Sequence, residues 1–210
     1  MKRGRLVVVD GGEGSGKSTL LDLAGNKFSP DKAMFTREPG GSPFAEDIRS
    51  MIFSERGKEA NALTHAGLFW AARADHLAKV VRPALERGMH VISDRMDSST
   101  FAYQIRGEEN PRLASIFNQM REVYMEGIHP FYILLDIDPS VGLGRKRGET
   151  GTNYFDEREL SFHGRVRDGL LEFVSLHPHR VIDASRPLKI VAKEFFGVLD
   201  IILAWGTPPK

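Results

Sequence analysis

The sequence predicts a three-layer α/β domain built on a five-stranded parallel sheet, and three observations predict it. Short apolar runs fall at about 5–10, 33–36, 90–93, 131–137 and 180–183, with the length and continuity of strands buried on both faces. Segments of helical patterning separate them, the alternation that produces a parallel sheet covered by helices. A glycine-rich turn, Gly11-Gly12-Glu13-Gly14-Ser15-Gly16-Lys17-Ser18, joins the first strand to the first helix, at the sheet edge where α/β folds hold ligands. At 210 residues the chain is long enough for a substantial core. With no repeat, low-complexity tract or linker, residues 1–210 read as a single domain.

The elements follow in order. Leu6-Val7-Val8-Val9 forms the first strand, and the helix after the glycine-rich turn covers about 17–27. Further helices are expected near 43–53, 111–126, 139–147 and 188–204. The longest, about 60–87, should kink at Pro83, which lacks an N–H. Asp156-x-x-Glu159 has the spacing of a capping box and predicts a helix over 156–176. Val191, Phe195, Val198, Leu199 and Ile202 form an apolar stripe on the last helix, suited to core or subunit interface. Pro208-Pro209-Lys210 reads as a frayed tail.

Composition excludes several functions. The formal net charge is +1, so no global basic field points to nucleic acid. Without cysteine there is no disulfide, zinc-thiolate site or thiol nucleophile. Met1-Lys2-Arg3-Gly4-Arg5 is basic, but the apolar run after it is too short for a signal peptide, and no stretch reaches transmembrane length. The expectation is a cytoplasmic protein with no membrane partner.

Gly11 through Ser18 is G-x-x-x-x-G-K-S after a strand and before a helix, the pattern of a phosphate-binding P-loop. Backbone N–H groups in such a turn wrap an anion, and Gly11, Gly14 and Gly16 permit the close approach. Lys17 would bridge the β- and γ-phosphates and Ser18 Oγ would ligate Mg²⁺. The nucleotide-binding set is Gly11, Gly14, Ser15, Gly16, Lys17, Ser18 and Thr19. The pattern names a nucleoside triphosphate with Mg²⁺ and leaves open a P-loop NTPase or regulator with no acceptor.

Further segments narrow the reading. Thr36-Arg37-Glu38-Pro39-Gly40-Gly41 follows the second strand, and Leu68-Phe69-Trp70-Ala71-Ala72-Arg73 lies on the long helix. Ser93-Asp94-Arg95 and Ser98-Ser99-Thr100-Phe101-Ala102-Tyr103-Gln104 follow the third strand. This ordered set closely resembles the thymidylate kinases of bacterial type, within the P-loop nucleoside monophosphate kinases. The likeness runs from the P-loop to Asp183-Ala184-Ser185-Arg186-Pro187. It implies a P-loop kinase fold with a short lid at about 144–156, transfer of the γ-phosphoryl of ATP to dTMP, Mg²⁺ as cofactor, and a homodimer.

The resemblance also assigns roles. Phe69 would stack on thymine and Arg73 would meet a base carbonyl; four residues apart, they share a helix face. Arg37 and Arg95 would hold the acceptor phosphate, with Pro39 beside them. Asp94 would sit near Mg²⁺, and Glu13 would meet the sugar 3′-hydroxyl. Tyr103 would pack under the sugar, with Ser99, Thr100 and Gln104 as polar contacts around the base. Arg186 falls on the ATP side. Such lids carry catalytic arginines. Gly144-Arg145-Lys146-Arg147-Gly148 begins this one, so Arg145 and Arg147 are the candidates for transition-state charge, beside Lys17 and Arg95. Three departures stand out: Ile105-Arg106 replaces glycines, Glu149 through Tyr154 lacks the usual arginines, and Leu170 replaces a tyrosine. They raise an alternative acceptor, dUMP or a 5-substituted dUMP.

Overall fold

The computed structural model describes residues 3–146, 155 and 157–204. Five strands form one sheet: β1 (Leu6–Gly11), β2 (Ala33–Arg37), β3 (His90–Asp94), β4 (Phe131–Asp136) and β5 (His179–Asp183). Their spatial order is β2-β3-β1-β4-β5, and every pairing is parallel. The helices are α1 (Lys17–Lys27), α2 (Pro43–Ile52), α3 (Glu55–Lys58), α4 (Ala62–His76), α5 (Arg82–Glu86), α6 (Asp97–Thr100), α7 (Arg112–Tyr124), α8 (Pro139–Lys146), α9 (Leu160–Ser175) and α10 (Leu188–Ala204). All five strands begin or end within about a residue or two of the expected positions.

The period of two along β1 divides the core. Leu6 and Val8 join Trp70, Phe117, Tyr132 and Phe173 on the face covered by α4, α7 and α9. Val7 and Val9 join Leu20, Ile133, Phe195 and Leu199 on the face covered by α1 and α10. The stripe expected on the last helix is therefore core at Val191, Phe195, Leu199 and Ile202. Because the strands are parallel, their carboxyl ends share one edge, and Val9 and Arg37 both stand in register with Asp94. Three loops that sequence places far apart, after Gly11, Arg37 and Asp94, meet at that edge.

Two expectations need correction, and one stretch carried no expectation. The long helix is interrupted before Pro83: a π-helical turn spans Leu77–Val81 and α5 starts at Arg82. The wider turn absorbs the missing proline donor within the helix, so the break falls upstream of the ring. The helix expected from 156 begins at Leu160, with Glu159 in extended conformation at its N-cap and no side-chain cap bond; Asp156 lies outside the described residues. Residues 97–107 form α6 and a second π-helical stretch, Phe101–Gly107. The polar run of α6, Asp97-Ser98-Ser99-Thr100, gives no helical period to read.

Candidate active site

The P-loop leaves β1 at Gly11 and enters α1 through Gly16. Gly14 and Gly16 adopt φ of 67° and 80°, a region that side chains rarely occupy. A Cβ at Gly14 would stand 2.0 Å from the Gly142 carbonyl oxygen, so α8 packs directly on the loop backbone. The loop floors an open groove of about 1940 Å³ whose lining includes Gly14 through Thr19, Asp94, Arg95, Arg145 and Arg186. Lys17 Nζ lies 2.8 Å from Asp94 Oδ1, and Ser18 is exposed to the groove.

Beside the groove is a narrower cleft of about 490 Å³. Its lining includes Glu13, Pro39, Phe69, Arg73, Arg95, Ser99, Thr100, Tyr103 and Gln104. Every residue assigned to the acceptor is therefore brought to this cleft except Arg37. Arg37 reaches the groove instead, with Nη2 held 2.9 Å from Glu46 Oε2. That bond, with the Gly41 N–H on the same carboxylate, holds Glu46 below its usual carboxylate range. Arg147 lies outside the described residues.

Arg95 joins the two spaces. Its backbone sits at φ 66°, held there by its N–H on the Val9 carbonyl at 2.9 Å and by Ser93 Oγ, which donates to its carbonyl at 2.8 Å. Such a cost at a non-glycine residue is a hallmark of functional positions. The guanidinium donates to Asp10 Oδ1 at 3.1 Å, Ser99 Oγ at 2.9 Å and Glu13 Oε1 at 3.3 Å. Burial works against its charge. The carboxylates of Asp10, Glu13 and Asp94 outweigh that and raise its pKa well above the usual value. Burial likewise pushes the Tyr103 hydroxyl far up, so Tyr103 stays a neutral donor to Glu13 Oε1 at 3.2 Å.

Arg73 is 1% exposed and forms the deep wall of the cleft. Nε donates to Glu38 Oε2 at 2.7 Å and Nη2 to Thr100 Oγ1 at 3.0 Å. Glu38 also binds His76 Nδ1 at 3.0 Å, and His76 Nε2 lies 2.7 Å from Thr36 Oγ1. Nη1 of Arg73 is buried with no hydrogen-bond partner. An unused donor on a fixed guanidinium in a cleft wall is suited to a ligand carbonyl.

Besides Lys146, the sequence reading missed five participants. Asp10 is buried at 1% and accepts from Arg95, Ser98 and Ser99. Glu38 carries Arg73, although its motif was noted. Arg49 lines the groove and donates to the Pro39 carbonyl at 2.8 Å. Burial, with Arg37 nearby, lowers its pKa. Phe53 and Phe155 complete the apolar wall of the cleft. A carboxylate closing an apolar strand, as Asp10 does, is the one signal that could have been read.

A P-loop groove that opens beside a second, side-chain-lined cleft is the architecture of a P-loop phosphotransferase. Residues 9–195 match the family model described as thymidylate kinase. The thymidylate kinase of Nitrobacter hamburgensis is 37% identical, with 99% of this chain and 94% of that protein covered. That of Caulobacter vibrioides is 38% identical over 91% of this chain and 93% of that protein. A crystal structure of thymidylate kinase from Ehrlichia chaffeensis superposes with a TM-score of 0.74 at 26% identity, covering 94% of this chain and 99% of that one. The chain belongs to the thymidylate kinase family.

Proposed function

We propose that the protein transfers the γ-phosphoryl group of ATP to dTMP, giving dTDP and ADP for deoxynucleotide synthesis. The observation that carries this is the cleft: an aromatic, Phe69, and an arginine with an unused buried donor, Arg73, one turn apart on α4, both line a space that shares Glu13, Pro39 and Arg95 with the P-loop groove. That pairing suits one flat base bearing a carbonyl. ATP lies along the groove, its phosphates on the P-loop amides and Lys17, and its base toward Ala184, Ser185 and Arg186. Arg95 holds the acceptor phosphate at the seam, and Arg37 and Arg49 add charge from the groove side.

The chain's residues fit Mg²⁺. Ser18 is exposed in the P-loop groove, and the Asp94 carboxylate lines the same groove with Oδ1 paired to Lys17 Nζ at 2.8 Å. Ser18 and Asp94 would hold the ion, which supplies charge neutralisation on the triphosphate. Every other part of the step is positioning: bringing two anions together inside a fixed set of donors.

Two departures favour dTMP over a shifted acceptor. Ile105 and Leu170 are buried at 4% and 1% in the core. Ile105 packs toward α4 and α7, and Leu170 packs beneath the P-loop, both behind the cleft wall.

A homodimer is the assembly we favour. Leu63 on α4 and Ile116 and Val123 on α7 are 59%, 49% and 70% exposed, and an apolar groove runs between these helices. Among the described residues no helix is long and apolar enough to cross a membrane, which is compatible with a cytoplasmic enzyme. Incubating the protein with MgATP and a panel of monophosphates tests the activity, and light scattering tests the assembly: a mass of one chain contradicts the dimer.

A further inference from the structure

Of the basic residues in Gly144-Arg145-Lys146-Arg147-Gly148, Arg145 and Lys146 are described, and they do different things. Arg145 is turned onto the backbone. Its guanidinium donates to the carbonyls of Ala184 at 2.9 Å, Ser185 at 3.1 Å and Gly14 at 3.3 Å. It staples α8 to the P-loop and to the loop after β5. Lys146 instead sends Nζ to 2.8 Å from Glu13 Oε2. The other oxygen of that carboxylate takes Arg95 and the Tyr103 hydroxyl. Glu13 lines both the groove and the cleft, so Lys146 stands at the seam where a donor and an acceptor phosphate must meet.

The helix register puts it there. A Cβ at Gly142 would lie 2.1 Å from the Glu13 carbonyl oxygen, so the backbones of α8 and the P-loop touch with no side chain between them. Position 146 is four residues on, about one helical turn, and shares that face. The contact that fixes α8 on the loop therefore also aims Lys146 across it.

We propose that Lys146 is a catalytic cation of this kinase, trading the Glu13 carboxylate for the transferring phosphoryl group when both nucleotides are bound. The proposal rests on the phosphoryl-transfer reading above. A carboxylate at the seam repels incoming phosphates unless cations accompany it, and Lys146 with Arg95 provides them. A lysine suits the exchange, because its compact charge and flexible stem let three donors re-aim. In the step, the P–O bond between the γ-phosphorus and the β–γ bridging oxygen breaks and its electron pair leaves on ADP. A bond forms between the γ-phosphorus and an oxygen of the acceptor phosphate. Lys146 remains an ammonium throughout and moves no proton. Glu13 takes a sugar hydroxyl in place of the lysine.

Kinetics and transition-state mimicry on the full chain test this. Lys146→Ala should lower kcat about 10²- to 10³-fold, with KM for ATP and dTMP changed by no more than about threefold. Lys146→Arg should recover much of the loss, as a substitution that keeps the charge. By calorimetry Lys146→Ala should bind ADP and dTMP as the parent does, yet aluminium fluoride should no longer tighten the ADP–dTMP complex. An unchanged kcat, or full tightening by aluminium fluoride, overturns the proposal. So does a joint fall in melting temperature, ADP affinity and dTMP affinity, which marks Lys146 as a structural tether. The kinase reading fails separately, if the unsubstituted chain makes no ADP in response to dTMP.

Discussion

The nucleotide groove and the acceptor cleft share Glu13 and Arg95, yet they are built from different materials. The groove floor is main chain: successive P-loop amides, two left-handed glycines and the N-terminus of α1. The cleft is side chain: Phe69 and Arg73 from α4, Pro39 after β2, and Ser99 to Gln104 after β3. Backbone recognises a phosphate through generic N–H groups and can do so for any triphosphate. Choosing one base requires side chains whose rotamers are fixed by a second layer, here Glu38, His76, Thr36 and Thr100 around Arg73. Damage to that layer should therefore cost stability as well as specificity, and damage to the groove should cost mainly turnover.

The largest expected effect is on the cleft side. Arg73→Ala leaves the Glu38 carboxylate buried at 3% side-chain exposure without its main cation, and breaking such a pair costs about 3–5 kcal/mol. Thermal unfolding should show a fall of roughly 6–20 °C, at about 2–4 °C per kcal/mol for a chain of this size. A melting temperature within a degree or two of the parent's would remove the distinction between the two regions. Next comes the groove. Lys17→Ala should lower kcat about 10²- to 10³-fold, the scale for losing one preorganised donor, while the fold stays intact by circular dichroism. Lys17→Ala that unfolds the protein would show the groove to be structural too.

The sheet was legible in the sequence almost residue by residue, because short continuous apolar runs separated by helical patterning are local signals. The P-loop was legible because its eight residues are contiguous. The cleft was legible only through its resemblance to a family, since Phe69 and Arg73 alone have no chemistry that distinguishes them from core residues. Glu38 shows what lay beyond reach, and at Asp10 only the strand-ending carboxylate was visible. Their roles depend on β2, β3 and β1 ending at one edge, a tertiary fact that places Arg73 and Arg95 against them. Lys146 was passed over for its neighbours Arg145 and Arg147, because a run of basic residues does not reveal which face of α8 meets the loop. The contact between Gly142 and the P-loop decides that.

Two smaller effects sharpen the comparison. Phe69→Ala should raise KM for dTMP by about 5- to 150-fold, as loss of a base-stacking aromatic costs about 1–3 kcal/mol, and leave KM for ATP unchanged. Equal loss for both nucleotides would place Phe69 in the shared core. The smallest effect is remote from both regions. His90, buried in β3, accepts the Arg5 N–H on Nδ1 at 3.2 Å. Burial foremost, then the Arg5 charge, lowers its pKa, partly offset by a hydrogen bond to Leu203. The unfolded chain therefore binds this proton more readily than the folded one. Stability should fall as pH drops below about 6.5, the unfolded value, and His90→Asn should flatten that slope in pH-dependent melting curves. A slope unaltered by the substitution would assign it to other groups.

The claim that the cleft reads a thymine nucleotide is tested most directly by the acceptor panel. With saturating MgATP, kcat/KM is measured for dTMP, dUMP, dCMP, dAMP and dGMP by ADP release. The proposed function predicts that dTMP leads, that dUMP follows as the nearest analogue, and that the purine nucleotides are turned over poorly. A chain that phosphorylates dAMP or dGMP as well as dTMP, or hydrolyses ATP without regard to acceptor, would contradict it.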